Sequence, residues 1–121
     1  MGQKAKKNRA GRPPSQRQLR VGEQIRHTLS TALFRGEIYD PDLSNATISI
    51  TEVSVSPDLK NATAYFVVSN GDTQTVFKAL NRNAKTFKHI IAHMVNMRSH
   101  PHIKFTEDTS FTYAQHIERS E

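Results

Sequence analysis

His89 and His93 stand four residues apart in a run without Gly or Pro, a spacing that sets two imidazoles on one helical face where they could chelate a metal. A zinc protease needs Glu directly after the first His; Ile90 stands there instead, and no third ligand is near. Both rings therefore read as members of a basic helix face, able to meet phosphate and to gain charge below neutrality. His100 and His102 flank Pro101 at a turn and read as structural or solvent-facing. Asp40 with Asp42, and Glu107 with Asp108, are paired acids in turn sequence, suited to capping rather than to an acid–base dyad. No serine lies in a nucleophile elbow, and the five glycines are isolated, so there is no phosphate-cradling loop. The chain has no cysteine, which removes disulfides, thiolate zinc sites and cysteine nucleophiles. Nothing assembles an active site, and no metal or cofactor is implied.

The lysines and arginines form a stronger pattern. Lys78, Arg82, Lys85 and His89 are spaced four, three and four, which places them on one side of a helix. From Asp72 to Glu107 the chain also carries Lys88, Arg98 and Lys104 with no intervening carboxylate. The first twenty residues add Lys4, Lys6, Lys7, Arg9, Arg12, Arg17 and Arg20 and no acid, so the whole formal excess of +6 sits on that tail. A basic arm joined to an acid-free helix face is the electrostatic footprint of a protein that meets a polyanion. Membrane and nucleic-acid phosphate both satisfy the charge, but no apolar run approaches the ~20 residues that span a bilayer. Aromatic content is low at 7% with no Trp, and most rings fall at core-like positions, which argues against a base-stacking platform.

The elements that must position these residues can be read from periodicity. Residues 1–15, rich in Lys, Arg, Gly and a Pro pair, read as a disordered basic arm. Residues 16–121 read as one domain. Ser15 is a helix cap, and Leu19, Val21, Ile25, Leu29, Leu33 and Phe34 recur near the helical period up to a Gly36 terminator. The opposite face carries Arg17, Arg20, Gln24, His27 and Thr31. Two similar segments beginning Pro41-Asp42-Leu43 and Pro57-Asp58-Leu59 each mark a turn before a strand. The strands run over about 47–54 and 62–69, with a bulge near Thr51-Glu52, and the short link makes them antiparallel. Val76, Phe77, Leu80, Ala84, Phe87, Ile91, Met94 and Val95 then form an apolar stripe that predicts one helix of about 25 residues. Asn81 and Asn83 permit a bend in it. A third strand follows over 102–106, and Ser110 caps a short final helix with Phe111, Ala114 and Ile117 on one side.

The resulting order, helix–strand–strand–helix(–helix)–strand, is that of an α+β, KH type II-like domain with a three-stranded sheet backed by helices. That class grips nucleic-acid backbone through a GXXG loop between paired helices, yet residues 80–87 contain no glycine. The segments Arg17-Gln18-Leu19-Arg20-Val21-Gly22-Glu23-Gln24-Ile25, Asp40-Pro41-Asp42-Leu43, Ile50-Thr51-Glu52-Val53-Ser54-Val55-Ser56-Pro57-Asp58-Leu59 and Pro101-His102-Ile103-Lys104-Phe105 closely resemble the ribosome-binding factor A family of small-subunit assembly factors. The resemblance runs from Ser15 to the C-terminus and leaves the basic arm outside it. In that family an Ala-x-Gly kink replaces GXXG; Ala84-Lys85-Thr86 is the matching stretch here, with Thr86 where the family has Gly. A threonine bends a helix at greater cost than glycine, which predicts a softer kink or a straighter helix.

The lack of cysteine and of a secretory signal reads as cytoplasmic, and with no sign of oligomerisation a monomer is expected; the resemblance implies a non-enzymatic factor. Its partner would be the immature 30S subunit and its 16S rRNA, whose 5′-end processing and final folding it assists. On this reading Lys78, Arg82, Ala84, Lys85, Thr86, Lys88, His89 and Arg98 line the RNA-binding ridge, with Arg17 and Arg20 on the first helix and Lys4, Lys6, Lys7, Arg9 and Arg12 in the arm. The alternative is a general nucleic-acid-binding module without a ribosomal role. An enzyme is a distant third reading.

Overall fold

Ser15 and Gln18 decide where the first helix begins. The structure, a computed structural model, describes residues 13–110. In it helix α1, Gln16–Arg35, opens with a reciprocal capping box. The Ser15 Oγ accepts from the Gln18 N–H at 3.1 Å, and the Gln18 Oε1 accepts from the Ser15 N–H at 2.9 Å. Gly36 ends the helix in the left-handed conformation at φ 66°, donating back to the last turn. Val21, Ile25, Leu29 and Ala32 form the buried face. Leu19 and Phe34, expected on that face, are exposed. Helix arithmetic explains both, because at about 100° per residue Leu19 points roughly 120° and Phe34 about 180° from Ile25.

α1 lies across strand β1, Thr47–Val55, at close range. Gly22 makes the approach feasible, since a Cβ there would sit 2.6 Å from the Val53 carbonyl oxygen. Between them, α2, Pro41–Ser44, is a single helical turn with buried Leu43, started by Pro41 and capped by the Asp40 carboxylate. β1 pairs antiparallel with β2, Asn61–Asn70. The register slips between Ile50 and Glu52, which is the expected bulge. It lets Ile50 and Val55 both face inward. The link turns at Leu59, whose φ of 61° is held by Leu59 N–H donation to the Ser56 carbonyl and by Asp58 bonds to Ser56 and Lys60.

The predicted single long helix is two. α3, Thr73–Arg82, is capped by Asp72, and α4 runs Ala84–Met94. One residue, Asn83, separates them at φ −100°, ψ 14°, well away from the helical ψ of about −42°. Strand β3, His102–Glu107, then joins parallel to β2, giving the order β1-β2-β3. Helices and sheet share one core in which Phe87 and Phe105 meet at 5.1 Å between ring centres, with Phe66, Ile25, Leu29, Leu80 and Ile91 around them. Met94, expected in the stripe, is exposed at the last residue of α4, and Phe77 stacks on Phe66 from the rim.

Asp108 rather than Ser110 caps the turn after β3, for its Oδ1 accepts from the Ser110 N–H and hydroxyl. The remainder of the expected final helix lies outside the described residues, as does the basic arm up to Arg12. No helix among the described residues is long and apolar enough to cross a membrane.

Candidate nucleic-acid interface

The break at Asn83 is built from polar contacts. Asp40 reaches across from the start of α2 and is 8% exposed. Its Oδ2 accepts from Asn83 Nδ2 at 2.7 Å, while the same Nδ2 also donates to the Ala79 carbonyl at 2.8 Å. Arg82 donates to both Asp40 oxygens, at 2.9–3.1 Å from Nε and Nη2, and from Nη2 to Asp42 Oδ2 at 2.9 Å. The Asn83 bond, then the Arg82 guanidinium, hold the Asp40 carboxyl below the usual carboxylate range; Asp42 and Asp40 raise the Arg82 guanidinium in turn. A helix that would otherwise continue is thus held open where its own sequence is weakest.

This latch changes the role of Arg82. Its residue number places it in an acid-free stretch, but the fold brings two carboxylates from residues 40 and 42 onto it. It is therefore not a free phosphate ligand, and the cationic ridge is a divided one. Lys78 remains exposed on α3; Lys85 and His89 lie on α4 opposite buried Phe87 and Ile91. His89 meets His93 edge-on at 4.8 Å. Lys88 leaves the outer face and turns toward β3, its Nζ 3.4 Å from His102 Nδ1. Arg98 is exposed in the link to β3. Ala84 is half-buried at the first position of α4, and Thr86 is exposed within its first turn. The bend therefore falls at Asn83, and Thr86 takes no part in making it.

Arg17 and Arg20 project from the first turns of α1. Arg20 also borders an open groove of about 510 Å³ between α1 and the end of α4, with Glu23, Gln24, His27, Thr28, Met94 and Val95. Here charge is mixed, since Glu23 pairs with Arg26 and its carboxyl is lowered by that bond. No group of three or more His, Asp or Glu side chains is placed to hold a metal among the described residues. His100 is structural: its Nε2 lies 2.7 Å from the Val95 carbonyl.

Neither the Asp40 latch nor the role of Asn81 was visible in the sequence. The Asn81 side chain accepts from the Phe105 N–H at 3.0 Å and donates to the Phe105 carbonyl at 3.2 Å. It serves β3 as a one-residue strand partner. An Asn in a helix facing an edge strand was the available signal. Two exposed rings, Phe34 and Tyr39, were also missed, because aromatic residues are assigned to the core by default.

Taken together, these features define a KH-like α+β domain that lacks the glycine loop and carries an asparagine-made break between its paired helices. Known proteins share both the sequence and the α+β fold. The sequence profile described as ribosome-binding factor A matches residues 17–120. The chain is 46% identical over 112 residues to ribosome-binding factor A of Paramagnetospirillum magneticum, covering 92% of this chain and 79% of that one. Its fold is similar to the crystal structure of ribosome-binding factor A from Thermus thermophilus, with a TM-score of 0.66 at 20% identity over 74% of this chain and 93% of the other. A Thermus thermophilus ribosome-binding factor A (RbfA) homology model fitted into the cryo-EM map of a 30S–RbfA complex is similar at a TM-score of 0.60 and 19% identity, covering 73% and 91%. The chain belongs to the ribosome-binding factor A family.

Proposed function

We propose that this protein is a non-catalytic assembly factor that binds the immature 30S subunit in the cytoplasm. There it assists 5′-end processing of 16S rRNA and the final folding of the subunit. Family membership carries the ribosomal part of the reading, and its RNA contact rests on the pair of outward cations, Lys78 and Lys85, on either side of a break that Arg82, Asn83 and Asp40 hold in place. Cations held on two short helices can neutralise phosphates along an RNA backbone. His89, Arg98, Arg17, Arg20 and the arm residues Lys4, Lys6, Lys7, Arg9 and Arg12 extend the same charge, with Lys88 at its flank. Phosphate contacts supply affinity and position but no base identity, so the shape of the RNA selects the site.

The test is co-sedimentation of wild type and a Lys78→Glu/Lys85→Glu variant with immature and mature small subunits across a salt series. Arg82 is left intact so that the fold is not disturbed. Wild type is expected to prefer immature particles and to stay on them at salt that strips bulk RNA; the variant is expected to lose binding with an unchanged melting curve. Normal binding by the variant would refute the ridge. Equal, salt-labile binding of wild type to any RNA or DNA would leave a general nucleic-acid module instead.

A further inference from the structure

Tyr39 is 97% exposed, yet the residues on either side of it are buried, Ile38 at 5% and Asp40 at 8%. Tyr39 is the central residue of the tight γ-turn closed between Ile38 and Asp40, and both flanking side chains are turned into the fold, which leaves the ring facing outward. The anchoring is firm. The Asp40 N–H donates to the Ile38 carbonyl at 3.0 Å, the Asp40 carbonyl accepts from Leu43 and Ser44, and the Asp40 carboxylate is bound to Arg82 and Asn83. The same latch that holds the helix break open thus mounts an aromatic ring beside it.

We propose that Tyr39 stacks on an unpaired RNA base while Lys78 and Lys85 take the flanking phosphates. This deepens the function proposed above and rests on it. Three features select this occupant. The ring is displayed on a fixed support, so little freedom is lost when a base covers it. Its exposed neighbours in sequence include the acids Glu37 and Asp42, which suit the polar edge of a base better than an apolar protein face. A flat, exposed ring matches the face of any base. The latch itself carries one cation against two carboxylates. That local excess of acid turns phosphate away from the ring and toward the lysines, leaving the base as the part that reaches Tyr39. Bases of an A-form duplex are already stacked on each other and cannot use the ring, so the site selects unpaired RNA.

The experiment measures binding of the full chain to an unpaired RNA of about ten nucleotides and to a duplex of equal phosphate number at fixed low salt. Tyr39→Ala is expected to weaken unpaired RNA about 5- to 100-fold and to leave the duplex and the melting curve unchanged, while Tyr39→Phe binds as wild type. Tyr39→Trp introduces the only tryptophan of the chain, and its emission is expected to be quenched by unpaired RNA and not by duplex. Undiminished binding of unpaired RNA by Tyr39→Ala overturns the proposal, as does unquenched emission at saturation. Loss of subunit binding with RNA binding intact also overturns it, by assigning the ring to a protein. The Lys78→Glu/Lys85→Glu variant separates the two claims. If it loses both RNAs while Tyr39→Ala loses neither, the ridge stands and stacking falls; if it binds both normally, the ridge itself has failed.

Discussion

Asp40 caps α2, neutralises Arg82 and bonds Asn83. Because its folded carboxyl lies below its unfolded value, it contributes stability that is present above the ordinary carboxylate pKa and lost as pH falls through the folded one. The melting temperatures of wild type and Asp40→Asn are therefore expected to differ at neutral pH and to converge as pH drops below about 4. A gap that stays constant into strong acid would show that the charge is not what matters. Gly22 is the opposite kind of residue, important for what it lacks. Its added Cβ would press on backbone, which cannot swing aside like a side-chain end. Gly22→Ala is expected to cost about 1–3 kcal/mol, read from denaturant midpoints.

At the scale of elements, the informative unit is α3–Asn83–α4. Thr86 lies inside α4, so Thr86→Gly is expected to cost only about 0.3–0.5 kcal/mol in helix propensity without sharpening the bend. Asn83→Ala removes the bonds to Asp40 and Ala79 and is expected to let the helix run on. Increased protection of the amides at 84–86 in hydrogen exchange would report that. The presence of α1, the hairpin with its bulge, and β3 was legible from Ser15, Gly36, the two Pro-Asp-Leu turns and the apolar alternation, because each is a local rule. The break was only half legible. Asn81 and Asn83 marked a weak stretch, but the partner that opens it comes from residue 40, and no periodicity encodes a contact between distant segments. The same blindness made Arg82 look free and Lys88 look outward, and it merged Lys78 of α3 with Lys85 and His89 of α4 into the face of one helix.

Over the whole molecule, cations on separate elements should act additively on salt dependence. Each Lys→Gln change at Lys78 or Lys85 is expected to lower the slope of log affinity against log salt for unpaired RNA by about 0.7. A single change that abolished the slope would mean one cation, not a surface, governs binding. The parallel pairing of β3 with β2 carries a separate consequence, in time. β1 and β2 meet through a short turn, whereas the β3 register joins Asn61 to His102 across the entire helical pair. Closing so long a loop is slow, so β3 should be the last strand to dock during folding. Asn81 can grip Phe105, and Phe87 can pack on it, only after that event. A newly made chain would then hold its hairpin well before its two cationic helices are fixed against the sheet, and competence for RNA would arrive with the final strand.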